Sequence, residues 1–109
     1  MEYVVDIQGF KQSSEDIVFK ELAIIALEED VNPRVYLFRP PYPWGCLPKD
    51  NKSENRWLEV NYHGIPWSSG NIPYSKVKNI LQGILSDASR IYVKGDKKAR
   101  WLIKFLSYQ

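Results

Sequence analysis

The sequence predicts an α/β fold in which three strands come first and a short helix, a longer helix, a fourth strand and a last helix follow. Two patterns in the 109 residues support this order. Three segments rich in β-branched and aromatic residues lie before residue 40, and two stretches after residue 75 repeat apolar residues every three or four positions. A chain of this length closes one core, so we expect a single domain over residues 1–109.

The three strands are predicted at residues 3–10, 17–27 and 34–39. The second segment is almost continuously apolar, which is typical of a buried helix or of a central strand. Its branched residues and its place between two other strand candidates favour the strand. The third segment begins after Pro33 and ends before Pro40, and both prolines restrict the backbone.

A proline-rich connection and a short helix follow the third strand. Four prolines between residues 40 and 48 remove backbone donors, which excludes a regular element there. Ser53 is a suitable N-cap, so we predict a helix over residues 54–62, with Trp57, Leu58 and Asn61 on one face. His63 lies at the end of this helix, and we interpret it as a helix-end residue rather than a base.

The second half of the chain has the clearest helical periodicity. The apolar positions of its first helix are Val77, Ile80, Leu81, Ile84 and Leu85. A fourth strand is predicted over residues 90–94 and stops at Gly95. A second, basic amphipathic helix then contains Lys98, Trp101, Leu102, Phe105 and Leu106.

Charge is distributed unevenly along the chain. Residues 1–71 hold 7 Lys or Arg against 11 Asp or Glu, a net −4, whereas residues 72–109 hold 8 against 2, a net +6. A solvated helix face is the commoner cause of such a basic segment, and a surface for nucleic acid or an acidic partner is the alternative. The candidates for nucleic-acid binding are Lys94, Lys97, Lys98, Arg100 and Lys104.

Composition excludes several function classes. The lone Cys46 forms no internal disulfide and has no Cys or His neighbour at zinc spacing, so we expect an intracellular compartment, either cytoplasm or nucleus, and an incidental thiol. The longest apolar run is far shorter than the roughly 20 residues that span a bilayer, so no membrane contact is expected. The glycines lack phosphate-loop spacing.

Four stretches resemble the DEDD-type 3′–5′ exonuclease branch of the ribonuclease H-like superfamily. They are Val4-Val-Asp-Ile-Gln8, Glu21-Leu-Ala-Ile-Ile-Ala26, His63-Gly-Ile-Pro-Trp67 and Ile91-Tyr-Val-Lys-Gly95. They are similar to the family's Asp-x-Glu strand, its second strand, its Gly-Ile turn and its second-motif strand. The resemblance covers almost the whole chain and implies a three-stranded meander, a fourth strand parallel to the first, and helices packed on the sheet.

The resemblance also implies a defective nuclease site. Enzymes of this family hold two divalent metals with four carboxylates. Asp6 matches the first carboxylate, whereas Gln8 stands at the second. An alignment of the last helix places Lys98 at the next carboxylate, and a register error of one turn would offer Asp96 instead.

The remaining carboxylate and the general base of the family have no counterpart before the end of this sequence. We therefore expect a vestigial Asp6, no catalytic residue, no metal and no cofactor. Magnesium enters only if the alternative holds, in which the chain is a metal nuclease completed by another chain.

The proline-rich loop is the predicted partner-binding segment. Tyr42 and Trp44 lie between prolines that order the backbone, and sequence alone suggests no role for them in the core of a monomer. The resulting hypothesis is an inactive binding module that contacts a protein partner or itself, or nucleic acid through its basic last third. A homodimeric assembly module is a further alternative.

Overall fold

The computed structural model describes residues 1–12, 16–28 and 32–107. The strands are β1 (Glu2–Lys11), β2 (Ile17–Ala26), β3 (Arg34–Leu37) and β4 (Arg90–Val93), and the helices are α1 (Lys49–Asn61), α2 (Val77–Leu85) and α3 (Asp96–Ser107). The predicted α/β class and the order of these elements are confirmed. Within the described residues, no helix is long and apolar enough to cross a membrane.

The four strands form one mixed sheet in the order β3-β2-β1-β4. β2 pairs antiparallel with both β1 and β3, whereas β4 pairs parallel with β1. The parallel pair involves only residues 2–5 of β1, because β4 has four residues and β1 has ten. Past Val5, no strand among the described residues pairs with the side of β1 that faces away from β2.

A β-bulge lies in the pairing of β1 with β2. Gln8 pairs with Glu21 and Gly9 pairs with Phe19, so Lys20 has no opposite residue. Gly9 is required there, because a Cβ atom at this position would lie 2.5 Å from the carbonyl oxygen of Val18. The bulge turns Lys20 out of the regular alternation of the strand.

Lys20 is a fully buried cation. Its Nζ donates hydrogen bonds to the carbonyl oxygens of Phe38 at 2.8 Å, Trp67 at 2.6 Å and Ser69. Three acceptors match the three N–H bonds of an ammonium group. Burial lowers the pKa of Lys20 to about 8, so the side chain is mostly protonated at neutral pH. Lys20 thereby fixes the segment before α2 against the end of β3.

The main core lies between the sheet and helices α2 and α3. Because of the bulge, Phe19 before it and Leu22 after it face the same core, although they are three residues apart on β2. Its buried members are Tyr3, Val5, Ile7, Ile17, Phe19, Leu22, Ile24, Ala26, Phe38, Val77, Leu81 and Leu102. The strand residues and the helical stripes that the sequence predicts thus meet in one cluster.

A second cluster contains the aromatic side chains of the loops. Tyr42 and Trp44 are half-buried against Trp67, with ring centroids 5.7 and 5.6 Å from it. The Tyr42 hydroxyl also donates to Gln12 Oε1 at 2.9 Å. The expectation that these two rings have no role in the core is wrong, and partner binding by them stays a prediction. The same loop contains a 3-10 turn, Trp44–Cys46, where the prolines led us to expect no regular element.

Helix α1 departs furthest from the prediction. It begins at Lys49 after Pro48, so Ser53 lies inside the helix and does not cap it. Trp57 and Leu58 were expected on one face, but Leu58 is half-buried and Trp57 is exposed. The buried residues of α1 are Asn51 and Asn55, which a search for apolar periodicity does not detect.

Candidate nucleic-acid-binding cleft

A cleft of about 500 Å³ lies between the second half of β1, helix α1 and the start of α3. We call it the β1–α3 cleft. Apolar and aromatic side chains account for much of its lining: Ile7, Phe10, Ile17, Leu58, Tyr62 and Trp101. Its cations are Lys11, Lys94, Lys97 and Lys98. A basic cleft with an apolar lining suits a ligand that has both an anionic and an apolar part.

The cleft exists because β4 is short. The chain leaves β4 at Val93 and turns at Gly95, whose φ of +92° favours glycine. Helix α3 then starts at Asp96 beside the unpaired half of β1. The first N–H groups of a helix have no intrahelical acceptor and give this end a partial positive charge. The lysines and the helix start together favour an anion in the cleft.

Two side chains, Asn55 of α1 and His63 just after it, form hydrogen bonds with backbone groups in the half of β1 that lacks a second neighbouring strand. Asn55 Oδ1 accepts the N–H of Lys11 at 2.6 Å, and its Nδ2 donates to the Lys11 carbonyl at 2.7 Å. His63 Nε2 lies 3.2 Å from the Gly9 carbonyl. These side chains take the place of a neighbouring strand, so this part of β1 can line the cleft.

His63 has a structural role here. Its Nδ1 accepts the N–H of Ile65 at 3.0 Å, so Nε2 carries the ring hydrogen and donates it to Gly9. Burial lowers the pKa of His63, and the bond to Gly9 opposes this shift. Both nitrogens are engaged with the backbone, which agrees with the interpretation of His63 as a helix-end residue rather than a base.

Asp6 and Lys98 form an ion pair in the cleft. Lys98 Nζ lies 3.1 Å from Asp6 Oδ1, and the side chain of Lys98 is 17% exposed against 49% for Asp6. The same Oδ1 accepts the N–H of Ile7 at 3.0 Å. Lys98 lines the cleft, whereas Asp96, which the alternative register would offer, does not.

Gln8 lies two residues after Asp6 on β1 and also lines the cleft. Its Oε1 is buried and has no hydrogen-bond donor among the described residues. Across the described ranges, no three His, Cys, Asp or Glu side chains lie close enough to hold a metal ion. Asp6 is the one carboxylate among the described residues that line the cleft, and Lys98 already pairs with it.

The five predicted nucleic-acid-binding residues do not share one surface. Lys94, Lys97 and Lys98 line the cleft. Lys104 lies further along α3 and forms an ion pair with Asp16 at 2.8 Å. Arg100 is exposed and does not line the cleft.

Comparison with known proteins adds no relative. The chain matches no protein family model, no curated protein and no solved structure. Lys11, Tyr62 and Trp101 are among the cleft residues that sequence reasoning missed. Trp101 belongs to the predicted amphipathic pattern of α3, but that pattern does not indicate that the ring borders a cleft. Lys11 and Tyr62 lie at the ends of their elements, where the sequence gives no indication of a shared cleft.

The exposed thiol of Cys46 lies in the 3-10 turn away from the β1–α3 cleft.

Proposed function

We propose that this protein is an inactive relative of the DEDD-type exonucleases and that it binds a single nucleic-acid strand in the β1–α3 cleft. The contact of Lys98 with Asp6 is the observation that carries the proposal. The ammonium group of Lys98 repels a divalent cation at Asp6, the one carboxylate in the described lining of the cleft, and the same group attracts a phosphate. The cleft is therefore better suited to hold a strand than to hydrolyse it.

The topology supports the proposed relationship. β4 lies parallel to β1, and β2 and β3 follow β1 in sequential antiparallel pairs. A parallel fourth strand beside β1 is one of the features that the sequence resemblance leads us to expect, and it supports the proposal. Fold alone does not fix function, so the proposal depends on the chemistry of the cleft.

The cleft offers partners to each part of a nucleotide. Lys94, Lys97 and Lys98 provide positive charge for phosphates, and the start of α3 adds to it. The ring of Tyr62 lies 6.0 Å from Lys98 Nζ, beside the apolar lining, where a base or a sugar would pack. These contacts read no base edge, so binding should be indifferent to sequence.

Fluorescence anisotropy with a labelled oligothymidylate of about 20 nucleotides tests the proposal. Three lysine–phosphate contacts predict a slope of log affinity against log salt of about −2. Reversing the charge with Lys94→Glu and Lys97→Glu should weaken binding at least about tenfold. The matched control combines Arg34→Glu and Lys76→Glu, which change the net charge equally at exposed positions outside the cleft.

Equal loss of affinity in both double variants would assign binding to overall charge and reject the cleft. A time course with magnesium or manganese separates binding from cleavage. We expect no product. Metal-dependent product that disappears with Asp6→Asn would instead show that the chain is a nuclease and that Asp6 is catalytic.

A further inference from the structure

Helix α1 buries two asparagines, whereas two of its three apolar side chains are exposed. Asn55 is fully buried, and Asn51 is buried beside it on the inner face. Trp57 is 58% exposed and Val60 is 71% exposed. Surface helices of monomers normally show the opposite arrangement, and tryptophan is enriched in the centres of protein interfaces. The outer face of α1 therefore has the composition of a contact surface.

This outer face forms an open groove of about 490 Å³. We call it the α1 groove. Its lining includes Trp57 and Val60 together with three cations, Lys49, Lys52 and Arg56. Among the described residues, neither Lys49 nor Lys52 has an ion-pair partner.

The acidic residues of α1 do not neutralise the groove. Glu54 forms an ion pair with Lys11 at 3.2 Å, and Glu59 accepts the N–H of Trp67 at 3.1 Å. Asp50 lies in the first turn and is not part of the groove lining. The charged residues that line the groove are thus all cations.

We propose that the α1 groove docks an acidic segment of a partner protein that carries apolar side chains. Carboxylates of the segment would pair with Lys49, Lys52 and Arg56, and its apolar residues would cover Trp57 and Val60. From Lys49 to Val60 the helix rises about 16 Å, which corresponds to about three turns of a helical segment.

Charge and shape distinguish this occupant from two others. A symmetric contact with a second copy would bring the same cations face to face, which is unfavourable. A nucleic-acid strand would pair with the cations and stack on Trp57, but it offers no apolar partner for Val60. An acidic, apolar peptide satisfies all of these side chains.

Trp44 connects this surface to the proline-rich loop. The Arg56 guanidinium carbon lies 5.9 Å from the centroid of the Trp44 ring. This contact holds Arg56 at the edge of the groove, because a cation over an aromatic face is attracted to it. The loop would thus act on partner binding by positioning Arg56.

Selection from a random peptide library displayed on phage, against the full chain, tests this proposal. We expect the enriched peptides to combine acidic with aliphatic or aromatic residues. A labelled synthetic copy of the most enriched peptide should bind at least about tenfold more weakly to Trp57→Ser and to Arg56→Glu. Val35→Ser and Lys76→Glu are the matched controls, because they remove an exposed apolar residue and reverse an exposed charge away from the groove.

Selection against the double variant Lys52→Glu, Arg56→Glu should shift the enriched peptides from acidic to basic. Enriched peptides without acidic excess, or equal losses in the control variants, would overturn the proposal. Weaker oligothymidylate binding by Trp57→Ser, with no peptide enriched, would assign the groove to nucleic acid. A dimer that Trp57→Ser dissociates in sedimentation would assign it to a second copy.

The groove and the β1–α3 cleft have no lining residue in common. Variants Lys94→Glu and Lys97→Glu should therefore keep peptide binding even where they lose the oligonucleotide. The two proposals can consequently fail independently.

Discussion

Asn55 pairs with the backbone of Lys11 through both ends of its side-chain amide, at 2.6 and 2.7 Å. The amide makes the two hydrogen bonds that a neighbouring strand would make. Because Asn55 is fully buried, its removal leaves these two backbone groups of Lys11 without a side-chain partner.

The first prediction is that Asn55→Ala destabilises the fold by about 2–3 kcal/mol, because it leaves the N–H and the carbonyl of Lys11 without partners. Urea unfolding measures this loss. Asn61→Ala is the control on the same helix, since Asn61 is exposed and bonds only to its own helix, and it should cost below about 0.5 kcal/mol. Similar losses in both variants would show that the pairing with Lys11 contributes little.

The second prediction concerns the buried ammonium of Lys20. Lys20→Met leaves three carbonyl oxygens without their donor and should cost on the order of 2–4 kcal/mol at pH 7. Lys11→Met, at a partly exposed lysine that pairs with Glu54, should cost less than about 1 kcal/mol. An unchanged or raised stability of Lys20→Met would mean that the cost of burying the charge outweighs these hydrogen bonds.

The pKa of Lys20 adds a pH dependence to this prediction. The folded-state pKa is about 8 and the ordinary value is 10.5, so between these values the unfolded chain binds more protons. The stability of the wild type should therefore rise from pH 8 to pH 10.5 by about 3 kcal/mol relative to Lys20→Met. Parallel pH profiles of the two proteins would contradict the lowered pKa.

The third prediction is that the double variant Tyr42→Ser, Trp44→Ser unfolds at a lower temperature than the wild type. Both rings pack against Trp67, so their loss should cost on the order of 2–4 kcal/mol. Calorimetry measures the transition, and Trp57→Ser controls for the loss of an exposed aromatic ring. A double variant that unfolds with the wild type but no longer associates would restore a purely partner-binding role.

The fourth prediction is that Asp6→Asn binds oligothymidylate more tightly than the wild type. The substitution frees Lys98 from its counter-ion, so affinity should increase about 3–10-fold at low salt. Asp50→Asn removes the same charge outside the cleft and should change affinity much less. Weaker binding by Asp6→Asn would indicate that Asp6 holds Lys98 in the orientation that phosphate needs.

Sequence periodicity predicted the elements that bury apolar side chains. β1, β2 and α2 lie within one or two residues of their predicted positions, because their buried faces are apolar. α1 was misplaced because it packs on β1 through Asn51 and Asn55. Tertiary hydrogen bonds to the Lys11 backbone determine that face, and no local pattern reveals them.

Little of the candidate site could be predicted from the sequence. The resemblance, which stays a prediction, put Lys98 at a carboxylate position of the family, and the structure has Lys98 Nζ 3.1 Å from Asp6 Oδ1. The basic charge of the last third of the chain led us to group Lys104 with the lysines of the cleft. In the structure Lys104 lies outside the cleft and forms an ion pair with Asp16. The cage of carbonyls around Lys20 escaped prediction because its acceptors come from two distant segments.

The free side of β1 has a consequence for the behaviour of the protein in concentrated solution. An uncovered strand of this length would ordinarily recruit a strand from another molecule and start an ordered aggregate. Asn55 and His63 occupy the hydrogen-bonding positions at Lys11 and Gly9. Helix α1 and the turn after it therefore prevent a strand of another molecule from pairing with this edge. Local unfolding of α1, without global unfolding, would then expose the edge of β1 and make the protein prone to aggregation.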